Sequence, residues 1–421
     1  MTRALVVEYT VNDRETPLMS TISDFCSDTD LPVIPAPRRA QCPLHPPAEF
    51  ADWRQDAGLR RVIYQGGPGW AVSRYHDIRA ALTDARLSAQ TFPDYLKTSD
   101  AANAPVMFAR TDDPEHNRLR RMMTGDFTFR RCEAMRPRIQ ELVDHFLDEM
   151  IATGPPADLV RDFGLPVPSL VIALLLGVPP EELGPFQQHT TTALDVRASL
   201  EEKTQAFAGM FSYLEELVDR KAREPGDDLL SRLVIEQVAT GQINRETATM
   251  SGLTMLVAGH ETSANMISLG TVALLEHPEV FARLGQTDDA AFVANMVEEL
   301  MRYLSIVHSQ VDRVATEDFV LGGQLINAGD RVVMNLPAGN WDAEFVENPE
   351  AFDVDRSARG HLGFGYGAHQ CIGANLARVE MQVAFATLAR RLPSLKLAVG
   401  KQELRFKEAE IYGMKELPVR W

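Results

Sequence analysis

The sequence predicts a mainly α-helical protein with a small β region. Segments with apolar residues at helical spacing dominate the middle of the chain, and the segment 247–277 is apolar on nearly every face. Strand-like patterns are confined to residues 62–73 and 319–335. The composition, 45% hydrophobic and 24% charged, is that of a globular protein.

The chain is long enough for one large domain. It has 421 residues, and beyond the N-terminal segment it contains no obvious linker, repeat or low-complexity tract. Residues 1–41 are rich in proline and polar residues and lack periodicity, which predicts a loose N-terminal arm. We therefore expect a single catalytic domain over residues 42–421.

The helices follow one another along the chain. In QELVDHFLDEMIATG, residues 140–154, apolar residues recur at helical spacing, and Gly154 followed by Pro155 ends the helix. Similar patterns lie around residues 211–217, 229–238 and 292–303. The stretch VIYQGGPGWAVS at 62–73 predicts a hairpin, and FVLGGQLINAGDRVVMN at 319–335 predicts two extended runs with glycine turns.

Charge and cysteine content limit the classes of partner and compartment. Lys and Arg number 42 against 59 Asp and Glu, and the net charge of −17 argues against nucleic acid or anionic lipid. The cysteines, Cys26, Cys42, Cys132 and Cys371, are scattered, which argues against a disulfide framework or a zinc site. No secretory signal is visible, and the apolar block from Leu170 is about half a membrane span. We expect a soluble, cytoplasmic protein.

The segment 247–277 is interrupted at its centre by polar residues. Burying His260, Glu261 and Thr262 in a core helix is costly unless partners satisfy them. One interpretation is an internal hydrogen-bond cluster, or a threonine that bonds back to its own helix. The other is a proton-delivery station, because Gly259 weakens the helix where a carboxylic acid adjoins a hydroxyl, and the helix could open there.

The stretch HLGFGYGAHQCIG, residues 361–373, combines glycines with Cys371. Its glycines fit a dinucleotide fingerprint, but no buried strand precedes them. An amphipathic helix follows, so Cys371 lies at a helix N-terminus, where the dipole and free N–H groups stabilise a thiolate. The residue is either an anionic metal ligand or an inert buried cysteine.

The combined pattern resembles the cytochrome P-450 family. Residues 364–373, FGYGAHQCIG, match the FGxGxHxCxG haem-binding loop of that family, and residues 258–262, AGHET, resemble its AGx(D/E)T segment. Glu299 and Arg302 match its ExxR element, and the three motifs occur in the family's order. The resemblance implies the cytochrome P-450 fold, with haem b (iron protoporphyrin IX) between the long central helix and the cysteine loop. Cys371 would be the iron ligand.

The resemblance extends from about residue 42 to the C-terminus and implies further site residues. The remaining haem contacts would be His116, Arg120, Ala258, Gly259, Arg313, Phe364, Gly365, His369 and Gly373, of which His116, Arg120, Arg313 and His369 would hold the propionates. Arg356 would complete a structural triad with Glu299 and Arg302. One departure is that residues 340–342 read Asn-Trp-Asp, where related bacterial members usually have Asn-Arg-Asp.

The resemblance also implies an activity. A Cys371 thiolate would donate electron density to the iron and favour cleavage of the O–O bond, while Glu261 and Thr262 would deliver protons. Electrons would come from NAD(P)H through a ferredoxin reductase and a ferredoxin. Arg118, Arg120, Arg121, Arg130 and Arg131 form a basic run that either docks the ferredoxin or is a solvated surface. We expect a monomer.

The implied substrate is a hydrophobic small molecule. The family's pocket maps onto Thr91, Phe92, Val106, Val257, Ile306, Val307, Ile411 and Tyr412, together with the region 185–200. The overall similarity is to actinobacterial members that oxidise macrolides, other secondary metabolites or xenobiotics. The leading hypothesis is a monooxygenase that hydroxylates or epoxidises its substrate. The alternatives are a peroxide-driven haem-thiolate enzyme and a non-enzymatic haem sensor or binding protein.

Overall fold

The computed structural model describes residues 31–38, 42–55, 58–91, 107–182, 199–407 and 410–421. The chain divides into two compact units, Met1–Leu31 and Pro32–Trp421. The helices and strands below all lie in the second unit. Of the predicted pocket, Phe92, Val106 and most of the region 185–200 lie outside the described residues.

Helices dominate the second unit, which confirms the predicted class. In chain order they are α1 (Glu49–Gln55), α2 (Tyr75–Thr83), α3 (Glu115–Thr124), α4 (Phe129–Ala134), α5 (Arg136–Thr153), α6 (Pro166–Leu176), α7 (Leu200–Arg223), α8 (Leu229–Arg232), α9 (Arg245–Glu276), α10 (Pro278–Gln286), α11 (Ala290–Leu304), α12 (Leu336–Asn340) and α13 (Ala374–Arg391). The helix predicted over 140–154 is α5, which ends at Thr153. The next residue, Gly154, has a left-handed backbone conformation (φ +82). Residues 233–238 continue α8 as a π-helix.

The β region is small. Its strands are β1 (Val33–Ile34), β2 (Leu59–Tyr64), β3 (Gly67–Val72), β4 (Leu87–Ser88), β5 (Ala157–Asp158), β6 (Asp312–Ala315), β7 (Phe319–Leu321), β8 (Gln324–Ile326), β9 (Arg331–Met334), β10 (Lys396–Leu397), β11 (Arg405–Lys407), β12 (Gly413–Glu416) and β13 (Pro418–Arg420). A six-stranded sheet has the order β1-β2-β3-β9-β6-β4. The other sheets are β10-β13-β5, β11-β12 and β7-β8.

The two predicted β stretches are present, with one difference. Strands β2 and β3 form the expected antiparallel hairpin, in register from Leu59↔Val72 to Tyr64↔Gly67. The stretch 319–335 contains three strands rather than two, because Gly322 and Gly323 turn β7 back onto β8 before β9 begins. Periodicity alone did not separate β7 from β8, since each has only three residues.

Part of the predicted arm belongs to the folded unit. Strand β1 pairs in parallel with β2, and Ile34 packs in a buried cluster with Phe50, Trp53 and Tyr64. Residues 33–36 are therefore part of the folded domain.

Helix α9 is the buried centre of the unit. The Asn244 side chain accepts a hydrogen bond from Thr247 N at its start, and the helix then runs unbroken to Glu276. Gly259 lies against α6, where a Cβ would come within 3.1 Å of Ile172 Cδ1. The opening at Gly259 that one interpretation invoked is not found; the helix is continuous there, and this glycine serves close helix packing.

Helix α11 packs against α9 and ends at a sharp turn. Asp289 caps its start by accepting from Ala291 N and Phe292 N. After Leu304 the chain turns at Ser305, which has a left-handed backbone (φ 41) that is unfavourable for a residue with a side chain. Within the described parts of the chain, we find no helix both long and apolar enough to cross a bilayer.

Candidate active site

Cys371 lies in a tightly folded loop before α13. Its N–H donates to the carbonyl of Phe364 (2.8 Å), which folds the loop back on itself. Gly365 (φ +68) and Gly367 (φ +76) adopt left-handed conformations that glycine tolerates best, and a Cβ at Gly367 would come within 3.0 Å of the Leu82 carbonyl oxygen. The loop delivers Cys371 to a point just before the N-terminus of α13.

The Cys371 thiol is accessible although protein groups surround it. The side chain is exposed, yet burial by the surrounding protein raises the pKa of its thiol, while the Gly373 N–H, Arg120 and Arg378 act in the opposite direction. The thiol is therefore open to a ligand. The described residues contain no cluster of three or more His, Cys, Asp or Glu that could hold a metal ion.

Helix α9 has one accessible strip in an otherwise buried surface. Ala258 is exposed, Val257, Gly259 and Thr262 are half-buried, and most residues on either side are buried. The small side chain of Ala258 leaves room beside the helix for a flat group, whereas Gly259 packs against Ile172 of α6. The strip contains two of the predicted haem contacts, Ala258 and Gly259, and one predicted pocket residue, Val257.

Thr262 bonds back to its own helix. Its hydroxyl donates to the carbonyl of Ala258 at 2.6 Å, which is the interpretation that the sequence left open beside proton delivery. This bond leaves the lone pairs of the hydroxyl free to accept. His260 is buried away from this contact, and burial together with Lys407 lowers the pKa of its imidazole to about 4.

Glu261 pairs with Lys407, a partner that sequence patterns did not indicate. Lys407 Nζ donates to Glu261 Oε1 at 3.0 Å from the end of β11. Lys407 pairs across the hairpin with Gly413, and a Cβ at Gly413 would overlap the amide of Asn265, one turn beyond Glu261. The β11-β12 hairpin is thus seated directly on the Glu261 face of α9.

Basic and imidazole groups gather near the cysteine loop. The rings of His116 and His369 stack at 3.8 Å, and Arg120 donates to the Gln370 carbonyl at 2.6 Å. His116 is buried; its Nε2 has no hydrogen-bond partner among the described residues, and its Nδ1 has only a long approach to Asp113 Oδ1 (3.5 Å). Burial, with nearby Arg313 and His116, lowers the pKa of His369 to about 3. Such a group of donors suits carboxylates like the haem propionates.

The predicted triad is brought together at the far side of α11. Arg302 and Glu299 are both fully buried and make two parallel hydrogen bonds of 2.7 and 2.8 Å. Arg356 Nε lies 3.4 Å from Glu299 Oε1, and the Asp353 N–H donates to the same oxygen. Arg302 also donates to the carbonyls of Pro349 and Ala351, so the pair anchors the segment that leads to the cysteine loop.

Trp341 replaces the arginine expected at its position and is buried. Its indole N–H donates to the Tyr303 carbonyl at 2.9 Å, and its ring packs on those of Tyr303 and His45. The neighbouring Asn340 links Ser305 Oγ to the Leu362 N–H at the start of the loop. Trp341 therefore ties this position to the end of α11 by an aromatic contact and a hydrogen bond.

Two predicted pocket segments meet in what we call the pocket wall, residues 306–308 and 410–412. Val307 and Ile411 form an antiparallel bridge. On either side of it, Tyr412 N donates to Ile306 O and His308 N to Glu410 O, both at 2.8 Å. Ile306 and Tyr412 are buried, whereas Val307 and Ile411 are half-buried.

Thr91 lies apart from the pocket wall in the described contacts. It is buried and accepts a hydrogen bond from Arg110, which also pairs with Asp312 on β6 at 2.8 Å. The structure thus ties Thr91 to the sheet next to Arg313.

Comparison with known proteins decides the family. The sequence model of the cytochrome P-450 family matches residues 63–419. The cytochrome P-450 GfsF of Streptomyces halstedii is 44% identical over 401 residues, covering 93% of this chain and 97% of that protein. The chain belongs to the cytochrome P-450 family. This cytochrome P-450 also superposes on the crystal structure of GfsF with a TM-score of 0.86 over 93% of this chain and 100% of the other, at 43% identity.

Two further relatives resemble this cytochrome P-450 over nearly its whole length. Pentalenic acid synthase of Streptomyces avermitilis is 44% identical over 392 residues, covering 91% of this chain and 96% of the synthase. The mycinamicin VIII methyl hydroxylase MycCI of Micromonospora griseorubida, in a structure that contains mycinamicin VIII, matches with a TM-score of 0.84 and 37% identity over 93% and 100% of the two chains. The protein is therefore a haem-thiolate monooxygenase, an oxidoreductase that uses O2, an organic substrate and redox partners.

The basic run of this cytochrome P-450 is partly neutralised. Arg118 pairs with Glu115 (2.6 Å), whereas Arg121 donates to the Asn117 carbonyl, which does not neutralise its charge. Arg131 lies 3.8 Å from both Asp126 and Asp227, while Arg130 is exposed beside the exposed ring of Phe129. The positively charged surface that the basic run forms is therefore smaller than the number of its arginines indicates.

Proposed function

We propose that this cytochrome P-450 binds haem b and inserts one atom of O2 into a hydrophobic organic molecule by hydroxylation or epoxidation, with electrons from NAD(P)H through a ferredoxin reductase and a ferredoxin. The observation that supports this most is an accessible Cys371 thiol enclosed by protein, combined with the accessible strip of α9 that contains Thr262. Those are the two faces that a haem-thiolate monooxygenase requires. Family membership supplies the class of reaction.

The residues present fit a haem. Cys371 would be the thiolate ligand of the iron, and His116, Arg120, Arg313 and His369 would hold the propionates. Their side chains are donors, and a buried imidazole such as His116 costs free energy unless it finds a partner. When bound, the haem supplies the oxygen activation that side chains cannot perform.

The chain's own part in the chemistry is to move protons and exclude water. We propose that the Thr262 hydroxyl, which donates to the Ala258 carbonyl, turns from that carbonyl to donate into the cavity, and that the Glu261 carboxyl supplies a replacement proton. Because the Glu261 carboxylate is paired with Lys407 Nζ, it must part from Lys407 and take up a proton from water before it can pass that proton to Thr262. The apolar packing around α9 keeps bulk water from reaching the site by other routes.

We propose a medium or large hydrophobic substrate of the secondary-metabolite or xenobiotic type. The described residues that would face the substrate beside the haem and in the pocket wall are aliphatic or aromatic: Val257, Ile306, Val307, Ile411 and Tyr412. The relatives add support, since one is named a pentalenic acid synthase and another holds mycinamicin VIII.

The redox partner would dock on the basic surface around Phe129. The exposed Arg130, and Arg131 with its long ion pairs of 3.8 Å, support docking of an acidic ferredoxin there.

Turnover under labelled O2 tests the proposal. The purified protein, reconstituted with haem, is first screened with hydrophobic compounds for a low-spin to high-spin shift. The compounds that bind are then incubated with NADPH, a surrogate ferredoxin and its reductase. A product that has gained one labelled oxygen atom supports the proposal. Product formed with hydrogen peroxide but none with ferredoxin indicates a peroxide-driven enzyme, and spectral shifts without any product indicate a binding protein.

A further inference from the structure

Arg38 reaches from the segment after β1 to the end of α11. Its Nη2 donates to the carbonyls of Leu304 (2.6 Å) and Ser305 (3.2 Å), and its Nη1 donates to that of Leu44 (2.8 Å). Leu304 is the last residue of α11, and Ser305 has a left-handed backbone. A cation at the negative end of a helix is favourable, and here it also stabilises an unfavourable turn.

The same guanidinium contacts both segments of the pocket wall. Its Nε donates to His308 Nε2 at 3.0 Å, so that in the neutral imidazole the proton is on Nδ1. Its Cζ lies 4.2 Å from the centre of the Tyr412 ring, and the His308 and Tyr412 rings stack at 5.2 Å. One side chain therefore joins the end of α11, the loop after it and the tip of the β11-β12 hairpin.

Burying the Arg38 guanidinium costs desolvation free energy, which would have no benefit if the side chain only filled space. The carbonyls and the imidazole around it are neutral acceptors, and burial lowers the pKa of its guanidinium to about 10 without removing the charge at neutral pH. An apolar side chain would fill the volume without this desolvation cost. A planar fork of donors can instead hold several acceptors in fixed directions, which an ammonium group cannot do.

We infer that Arg38 is a positioning residue for the substrate: it fixes the pocket wall and thereby sets the affinity for bulky hydrophobic molecules. The inference rests on the proposed function, because it takes the pocket wall to face the substrate. It gives the N-terminal segment a part in specificity, although no motif marks that segment.

Two azoles of different size test the inference in the full-length, haem-reconstituted protein. Imidazole is too small to fill the pocket, whereas clotrimazole is bulky and hydrophobic. In Arg38→Met we expect the Kd of clotrimazole to rise roughly tenfold and that of imidazole to change less than about twofold, with Arg38→Lys between the wild type and Arg38→Met. Arg54→Met is the matched control, since the half-buried Arg54 donates to the Ala338 carbonyl (3.1 Å) on α12 rather than to the wall.

Hydrogen exchange gives a readout that does not depend on haem. The amides of His308 and Tyr412, which bridge the two segments of the wall, should exchange faster in Arg38→Met and at the wild-type rate in Arg54→Met. Unchanged clotrimazole binding with unchanged exchange, or an equal loss for both azoles, would overturn the inference. A wild-type protein that takes up no haem would overturn the proposed function, while exchange would still decide whether Arg38 holds the wall. If Arg38→Met does not fold, the same azole binding and amide exchange are measured in Arg38→Lys and compared with the wild type and Arg54→Met.

Discussion

Glu261 Oε1 lies 3.0 Å from Lys407 Nζ, and this ion pair joins the central helix α9 to the hairpin that ends in the pocket wall. The two side chains are 10% and 20% exposed, so water screens the pair only partly. The proposed proton donor is thus restrained by the same hairpin that would contact the substrate. A substrate that shifts the hairpin would also shift Lys407, the ion-pair partner of Glu261.

Lys407→Met should destabilise the protein by about 1–3 kcal/mol, because it leaves an enclosed carboxylate without its cation. Urea unfolding of the haem-bound protein measures the change. Lys401→Met is the control, since Lys401 pairs with Glu276 at 2.8 Å but is 60% exposed, and its loss should cost less than about 1 kcal/mol. Adding Glu261→Gln to Lys407→Met should recover part of the loss. Equal effects of the two lysine variants would count against a special restraint on Glu261.

Thr262→Ala should keep haem and substrate binding but uncouple turnover. Without the hydroxyl the site loses an ordered proton donor, so a larger share of the electrons from NADPH should leave as hydrogen peroxide. Peroxide released per NADPH consumed measures the effect. Thr271→Ala is the control, because Thr271 makes the same bond to its own helix, to the Ile267 carbonyl at 2.8 Å, in the core of α9. Coupling that is unchanged in Thr262→Ala would remove this residue from the mechanism.

Cys371→Ala should abolish the thiolate-type absorbance of the reduced carbon monoxide complex. An imidazole or water ligand in place of the sulfur would not give a thiolate-type spectrum. Cys132→Ala should leave that spectrum intact, since Cys132 is buried and burial raises the pKa of its thiol to about 11, which makes it an inert core residue. A Cys371→Ala protein with the wild-type spectrum would disprove the assignment of the ligand.

Short local motifs allowed much of this site to be predicted from the sequence, whereas its long-range contacts could not be predicted. The cysteine loop, the centre of α9 and the Glu299–Arg302 pair are each encoded within a few neighbouring residues, and so were visible in the sequence. Lys407 and Arg38 were not, because their partners Glu261 and His308 lie 146 and 270 residues away. Such pairs depend on how a hairpin or an N-terminal segment docks, which periodicity does not report.

The sequence also misled where one residue type has two physical uses. Gly259 suggested a weak point in the central helix, but its missing Cβ lets Ile172 pack closely and the helix stays intact. Trp341 stood out only as a departure from the usual arginine, but its indole N–H bonds the backbone at the end of α11. In both cases the tertiary neighbour decides the use, and no local pattern identifies that neighbour.

Glu299→Gln should cost about 3–5 kcal/mol and reduce haem incorporation, because it leaves the fully buried Arg302 without its counter-charge. Unfolding in urea and the ratio of haem to protein after purification measure the two effects. Glu141→Gln is the matched control: Glu141 and Arg138 have the same i,i+3 spacing on α5 but are 63% and 56% exposed, so the change should stay below about 0.5 kcal/mol. Similar losses in both variants would show that burial of the pair is unimportant.

Glu380 on α13 should make stability fall as the pH rises. Burial raises the pKa of its carboxyl from 4.5 to about 8, although the Ser263 hydroxyl on α9 opposes the shift. The folded protein therefore keeps a proton that the unfolded chain releases, and it loses stability from about pH 4.5 to about pH 8. Glu380→Gln, which cannot ionise, should exceed the wild type by on the order of 4 kcal/mol at about pH 8, a difference that shrinks toward about pH 5. Urea unfolding of the haem-bound protein across this range measures the effect, and a constant difference would mean that Glu380 is already ionised in the folded state.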